Sequence, residues 1–184
     1  MLKVHPTPLA GLWVIEPPRY QDARGAFSET WNRQALAAAG CDLDFVQDNQ
    51  SYSKAAATVR GLHYQSPPHA QTKLVRCPQG RLFDVAVDVR PHSPTYAQWY
   101  GIELSAENGK QLWVPSGFLH GFMTLEPDCQ IAYKCSAYYA PAAEGSVRWD
   151  DPDLAIRWPD LGSPPQLSAK DRDAMAFRDF VSPF

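Results

Sequence analysis

Several absences narrow what this chain can be. Its four cysteines, Cys41, Cys77, Cys129 and Cys135, form no CxxC and no short paired spacing. That argues against zinc ribbons and disulfide frameworks and predicts reduced, mostly buried thiols in a cytoplasmic protein. Neither charge sign is in excess: 17 Lys and Arg stand against 20 Asp and Glu. A polybasic footprint for nucleic acid or a membrane surface is therefore missing. No apolar run approaches the ~20 residues of a membrane span. The start, "MLKVHPTPLAGLWVIEP", has neither the continuous apolar core nor the small-residue cleavage site of a secretory signal. Long helical periods are missing too, because 17 prolines and 11 glycines cut the sequence into short pieces.

What remains reads as strands. "GLWVIEP", "DFVQDNQSYS", "TVRGLHYQ", "TKLVRC", "RLFDVAVDV", "QWYGIEL", "QLWVP", "HGFMTL" and "QIAYKCSAYY" are short β-type runs, most of them bounded by turn residues. Only "NRQALAAAG", closed by Gly40, and "SAKDRDAMAF" look helical. With no repeat or linker, residues 1–184 are expected to form a single domain that buries about two-thirds or more of its unfolded surface. The pattern predicts a mainly β fold, a sandwich or barrel with short peripheral helices.

Two segments carry polar residues that a strand does not need. In "TVRGLHYQ", Arg60 and His63 flank Gly61. Strict alternation places them on opposite faces, unless Gly61 marks a bulge or a ligand wraps around the strand. In "RLFDVAVDV", Phe83, Val85, Val87 and Val89 share one face, and Asp84, Ala86 and Asp88 the other. The acidic face is either wet or lines a ligand cavity.

"PSGFLHGF" resembles the second conserved motif of cupin barrels, with His120 in the ligand position. The H-x-H that completes a cupin metal site is replaced by His63-Tyr64-Gln65, and His69 is the next histidine. One histidine and a glutamine make a poor first shell for zinc or iron. The resulting expectation is a cupin-like jelly-roll barrel without a metal, whose histidines move protons or bind ligand.

"DARGAFSETW", "FVQDNQSYS", "VRGLHYQ", "TKLVRCPQGRLFDVAVDVR", "SPTYAQWYGIELSAENGKQLWVPSGFLHGF", "YKCSAYYAP", "WDDPDLAIRWP" and "LSAKD" occur in that order, from about Leu12 to Asp173. The ordered set closely resembles the dTDP-4-dehydrorhamnose 3,5-epimerase family. The resemblance implies a cofactor-free homodimer that inverts C3 and C5 of dTDP-4-dehydro-6-deoxy-D-glucose. Single-position epimerisation for another deoxysugar stays open, as do a non-catalytic nucleotide-sugar-binding cupin and a metal-dependent cupin enzyme.

By the resemblance, His63 is the base and Asp171 its orienting carboxylate, although Ser168-Ala-Lys-Asp171 also fits a helix capping box. Lys73 matches the cation near the C4 oxygen and Tyr133 the proton donor. His120 matches a ligand contact that Asp84 orients. Arg24, Arg60 and Lys170 match diphosphate-binding positions. Tyr139 matches the residue stacked on thymine, with Tyr20 covering the other face. Glu29, Gln47, Asn49 and Glu144 match further contacts. Arg24 and Glu29 are implied to reach the neighbouring subunit's site. Thr58 and Thr72 depart from the family's aliphatic residue and glycine, and Thr72 adjoins Lys73.

Overall fold

The computed structural model describes residues 1–184. In chain order its strands begin with β1 (Lys3–Pro6), β2 (Trp13–Glu16), β3 (Arg19–Asp22) and β4 (Gly25–Ser28), followed by helix α1 (Arg33–Ala38). The barrel strands are β5 (Gln47–Ser53), β6 (Val59–Gln65), β7 (Lys73–Gln79), β8 (Arg81–Asp88) and β9 (Trp99–Ser105). They continue with β10 (Gln111–Val114), β11 (Phe118–Thr124), β12 (Cys129–Cys135) and β13 (Glu144–Ser146), before helix α2 (Ala169–Arg172).

Two antiparallel sheets make the jelly roll. One runs β1-β2-β10-β7-β12-β5, the other β13-β6-β11-β8-β9, while β3 and β4 form a separate hairpin. The main core lies between the sheets. It joins Val14, Val75, Cys77, Leu112 and Ile131 of the first to Leu82, Ala86, Leu104, Phe118 and Phe122 of the second. All four cysteines are free and buried, and no helix is long and apolar enough to cross a membrane.

The five-stranded sheet is covered on its outer face as well. Val85, Val87 and Val89 pack there with Val147, Leu154 and Phe180 from the C-terminal segment, and Phe83 joins them. So the apolar face of β8 looks outward, and its acidic face looks into the barrel. Neither expectation for that acidic face describes it fully, since Asp84 and Asp88 are both 0 % exposed. Asp88 is spent on structure, accepting from Arg90, Ser93 and Thr95. Burial pushes its carboxyl up, but those bonds outweigh it and hold the pKa at about 2.

Gly61 does mark a bulge. His120 of β11 faces His63, while Phe122, two residues on, faces Arg60, three residues back along β6. The extra residue cancels the alternation, so Arg60 and His63 share the barrel-facing side with His120 and Phe122. Only glycine fits there. Gly61 has φ +124°, and an added Cβ would lie 2.7 Å from the Gly121 Cα and 2.8 Å from the His120 carbonyl oxygen. Gly61→Ala is expected to cost about 2–4 kcal/mol, since backbone strain and a backbone clash coincide. A urea titration beside wild type measures it; an unchanged midpoint would mean that the bulge relaxes freely.

The helices are shorter than the sequence suggests at the second site. Asn32 caps α1 by accepting from the Ala35 N–H, and Gly40 follows its end at φ +91°. Helix α2 keeps a single turn. Its continuation is diverted because Met175 bridges Val147 and the Phe177 N–H donates to Asp151.

Candidate active site

Four strands and one helical turn deliver the polar side chains to one end of the barrel interior. On β7, Lys73 shares the face of the core residues Val75 and Cys77. On β12, Cys135 lies opposite Lys73 on one side and Gln47 on the other. Tyr133 lies opposite Val75 and Asn49. His63, Gln65, Lys73 and His120 line one narrow crevice with Val114 and Phe118.

His63 and Asp171 form a dyad. The His63 Nε2 lies 2.5 Å from Asp171 Oδ1, which also accepts from the Gly61 N–H at 3.3 Å. Asp171 reaches this point because Gln166 pairs with the start of β6, exchanging backbone bonds with Ala57 and Val59. Burial alone would raise the Asp171 carboxyl, but bonds from His63, Ser168 and Gly61 hold it below the usual range. With Nε2 engaged, Nδ1 is the ring nitrogen left for a substrate proton.

Lys73 makes no ion pair; its Nζ lies 5.7 Å from the centroid of the Tyr133 ring. Burial lowers its pKa, while the negative potentials of Cys135, Asp84 and Glu144 work against that shift. Burial raises the Tyr133 hydroxyl, so it stays protonated and able to donate at neutral pH. His120 Nε2 lies 2.9 Å from Asp84 Oδ1, and the second Asp84 oxygen is buried without a partner. No three His, Cys, Asp or Glu side chains gather as a set able to hold a metal ion.

Among the residues matched to nucleotide contacts, Gln47, Asn49, Tyr139, Glu144 and Lys170 form one bonded chain, and Arg60 stands apart beside Tyr52. Arg60 donates to the Tyr52 carbonyl at 3.2 Å and leaves its Nε buried and unpaired. Such an orphan asks for an acceptor from a ligand. Glu144 accepts from the Tyr139 hydroxyl at 2.8 Å and pairs with Lys170 at 2.5 Å. Burial would raise its carboxyl, and those two bonds hold it down. Gln47 donates to Asn49 and accepts from the Tyr139 N–H.

Tyr20, Arg24 and Glu29 are not brought to this cluster. Arg24 pairs with Asp22 at 2.6 Å on the β3–β4 hairpin, and Tyr20 stacks on Phe27 there. Glu29 accepts from Asn32 and lines the largest groove, about 420 Å³, beside α1. That groove holds none of the gathered acid–base groups. Thr58 and Thr72 are both engaged with backbone: Thr58 donates to Ala55, and the Thr72 hydroxyl accepts from the Ser116 N–H.

Two residues at the site were missed in their roles. Gln65, weighed above only as a defective metal ligand, donates to the His69 and Tyr138 carbonyls and accepts from the Ala140 N–H. It brackets the loop that presents Tyr139, and its place two residues after His63 was the only available signal. Ser168 caps α2 by accepting from the Asp171 N–H, and it also donates to Asp171 Oδ2. So the turn is capped and Asp171 meets His63, but the reciprocal bond of a capping box is not made, because Asp171 Oδ2 accepts from the Ser168 hydroxyl and not from its backbone N–H.

A jelly roll that assembles a His–Asp dyad, a half-buried lysine and a half-buried tyrosine in one interior defines a proton-transfer enzyme of the cupin class. The comparisons make this specific. A family model described as dTDP-4-dehydrorhamnose 3,5-epimerase matches residues 6–179, and the chain belongs to that family. The chain is 47% identical over 175 residues to the dTDP-4-dehydrorhamnose 3,5-epimerase of Salmonella typhimurium, covering 95% of this chain and 94% of that one. The crystal structure of the Bacillus anthracis enzyme, with TDP and PPi bound, matches with a TM-score of 0.93 at 46% identity, covering 96% of this chain and 100% of that one. A dTDP-6-deoxy-D-glucose-3,5-epimerase from Legionella pneumophila, in complex with dTDP-4-keto-L-rhamnose, matches with a TM-score of 0.93 at 44% identity, covering 98% and 95%.

Proposed function

We propose that this epimerase converts dTDP-4-dehydro-6-deoxy-D-glucose to dTDP-4-dehydro-L-rhamnose by removing and returning protons beside the C4 ketone. The ketone acidifies the hydrogens on C3 and C5, yet they remain weak carbon acids. His63, oriented by Asp171, takes the proton through Nδ1. Lys73 faces the enolate oxygen, and Tyr133 donates a proton to the opposite face of the ring. A placed base is worth about 10²–10⁴-fold and one oxyanion donor about 10²–10³-fold. No electrons change hands, so no redox cofactor enters the balance. The observation that carries this reading is the 2.5 Å dyad on the same interior as Lys73 and Tyr133.

The nucleotide half is bound by Arg60, Lys170, Gln47, Asn49 and Glu144, with thymine on Tyr139, while His120 contacts the ligand inside the crevice beside His63. Arg24 and Glu29 serve the other site of a homodimer, and Tyr20 travels with them. Supporting this, Tyr20 and Phe27 are 62% and 68% exposed on their hairpin, an unusual outlay of aromatic surface for a free loop.

Incubation with the substrate in D₂O tests the reaction. Deuterium should appear at both C3 and C5 of an inverted product. Label and inversion at one carbon only would make the protein a single-position epimerase. Binding of dTDP with no label at either carbon would leave a nucleotide-sugar binder.

A further inference from the structure

Asp171 is 4% exposed, and each of its carboxylate oxygens is engaged. Oδ1 serves His63 and the Gly61 N–H. Oδ2 has one partner, the Ser168 hydroxyl, at 2.8 Å. The same hydroxyl accepts from the Asp171 N–H at 3.1 Å. Ser168 therefore does two separable things. It caps the single turn of α2 with a lone pair, and it holds the carboxylate with its proton. A cap needs only the acceptor, which Asp or Asn supplies as well as Ser. The donor bond is left over, and it points at the dyad.

We propose that Ser168 is a positioning residue for proton abstraction: its hydroxyl proton pins the Asp171 carboxylate so that Oδ1 meets His63 Nε2. The inference rests on the reading of His63 as the base. Without the donor, a buried carboxylate oxygen is left unsatisfied, which is costly. The carboxylate then turns toward another donor or takes up a proton. A turned carboxylate no longer fixes the tautomer that leaves Nδ1 free. A protonated one no longer stabilises the imidazolium that forms when His63 takes the substrate proton. The direction of the Asp171 shift agrees, because the Ser168 bond is among those that hold the acid ionised against its burial. The adjacent cation does not replace it, since Lys170 bonds Glu144.

One turn of helix thus serves both halves of the site. Lys170 faces the nucleotide cluster and Asp171 the base, and Ser168 is the anchor before them. If the role is positioning, its loss should appear in turnover and leave nucleotide binding alone.

Three substitutions separate cap from clamp. Ser168→Thr keeps acceptor and donor, Ser168→Asp keeps the acceptor but cannot donate when ionised, and Ser168→Ala keeps neither. The readouts are kcat for deuterium exchange at C3, Kd for dTDP, and Tm. Ser168→Thr should stay within about twofold of wild type in kcat. Ser168→Ala and Ser168→Asp should both lose about tenfold or more, the scale of one hydrogen bond to a charged group, with dTDP affinity held within about twofold. Wild-type kcat in Ser168→Asp would reduce Ser168 to a helix cap and overturn the inference. So would a matching tenfold loss of dTDP affinity, which would mean that α2 had shifted as a whole. Should Ser168→Ala fail to fold, the Asp and Thr variants carry the test. His63→Ala is assayed beside them. Normal exchange in that variant overturns the reading of the base, whereas an inactive His63→Ala with a fully active Ser168→Asp overturns this inference alone.

Discussion

His63→Ala should lose deuterium exchange at both C3 and C5 by about 10²–10⁴-fold, the range a placed base contributes. Affinity for dTDP should hardly move, because the groups assigned to the nucleotide make no hydrogen bond to His63 and keep their own partners. Gln47 still accepts from the Tyr139 N–H, and Glu144 still pairs with Lys170. The loss should be the same at the two carbons if one base serves both. A variant that stops exchanging at one carbon only would require a second base for the other. The same variant also tests the arm. Mixed dimers of a His63→Ala chain with an Arg24→Ala chain should regain one working site per dimer, since both defects then fall in one site and the other keeps an intact His63 and an intact Arg24. No recovery would place Arg24 at its own subunit's site or dispense with the dimer.

Tyr133→Phe should part exchange from inversion. Phe keeps the ring that packs against the core beside Val75 and Ile131 and removes only the hydroxyl. His63 and Lys73 remain, so the enolate still forms and deuterium still enters at C3, returned by His63 to the face it came from. Inverted product should fall by about 10²-fold or more, the worth of a positioned acid. Burial keeps the wild-type hydroxyl protonated across the neutral range, which suits a donor. Chiral analysis of product beside mass-spectrometric label counting reads both quantities from one incubation. Unchanged inversion would leave Tyr133 as a wall of the pocket and pass the acid's role to another group.

How far these assignments could be read from sequence depended on the range of the interaction. The barrel strands were legible because β-branched and aromatic residues recur between turn residues over four to eight positions. The β3–β4 hairpin was not, since "RYQD" and "GAFS" are exposed and have no buried face to impose a period. "EGS" in β13 is too short to show one. Alternation failed at Arg60 and His63 because the bulge depends on Gly61 meeting Gly121, a contact between separate strands. The apolar stripe of β8 was seen correctly, but its direction depended on a C-terminal segment that covers the sheet from outside. Site identities came from the resemblance. Their juxtaposition did not follow from spacing, and Gln65 shows why: its three partners are backbone groups, which every residue carries.

The dyad also sets an order of events in making the protein. His63 and Asp171 are 108 residues apart, farther than the partners in any strand pair of the barrel, where the longest span, from Trp13 to Trp113, is 100. Closing so long a loop carries a larger entropic cost, so contacts of this span are favoured only after the intervening chain has condensed. During synthesis the strands through β12 leave the ribosome before α2 exists. A nascent chain can thus hold a formed barrel, complete with His63 and Lys73, that has no partner for its base. Competence for catalysis arrives with the docking of the last segment, after the scaffold rather than with it.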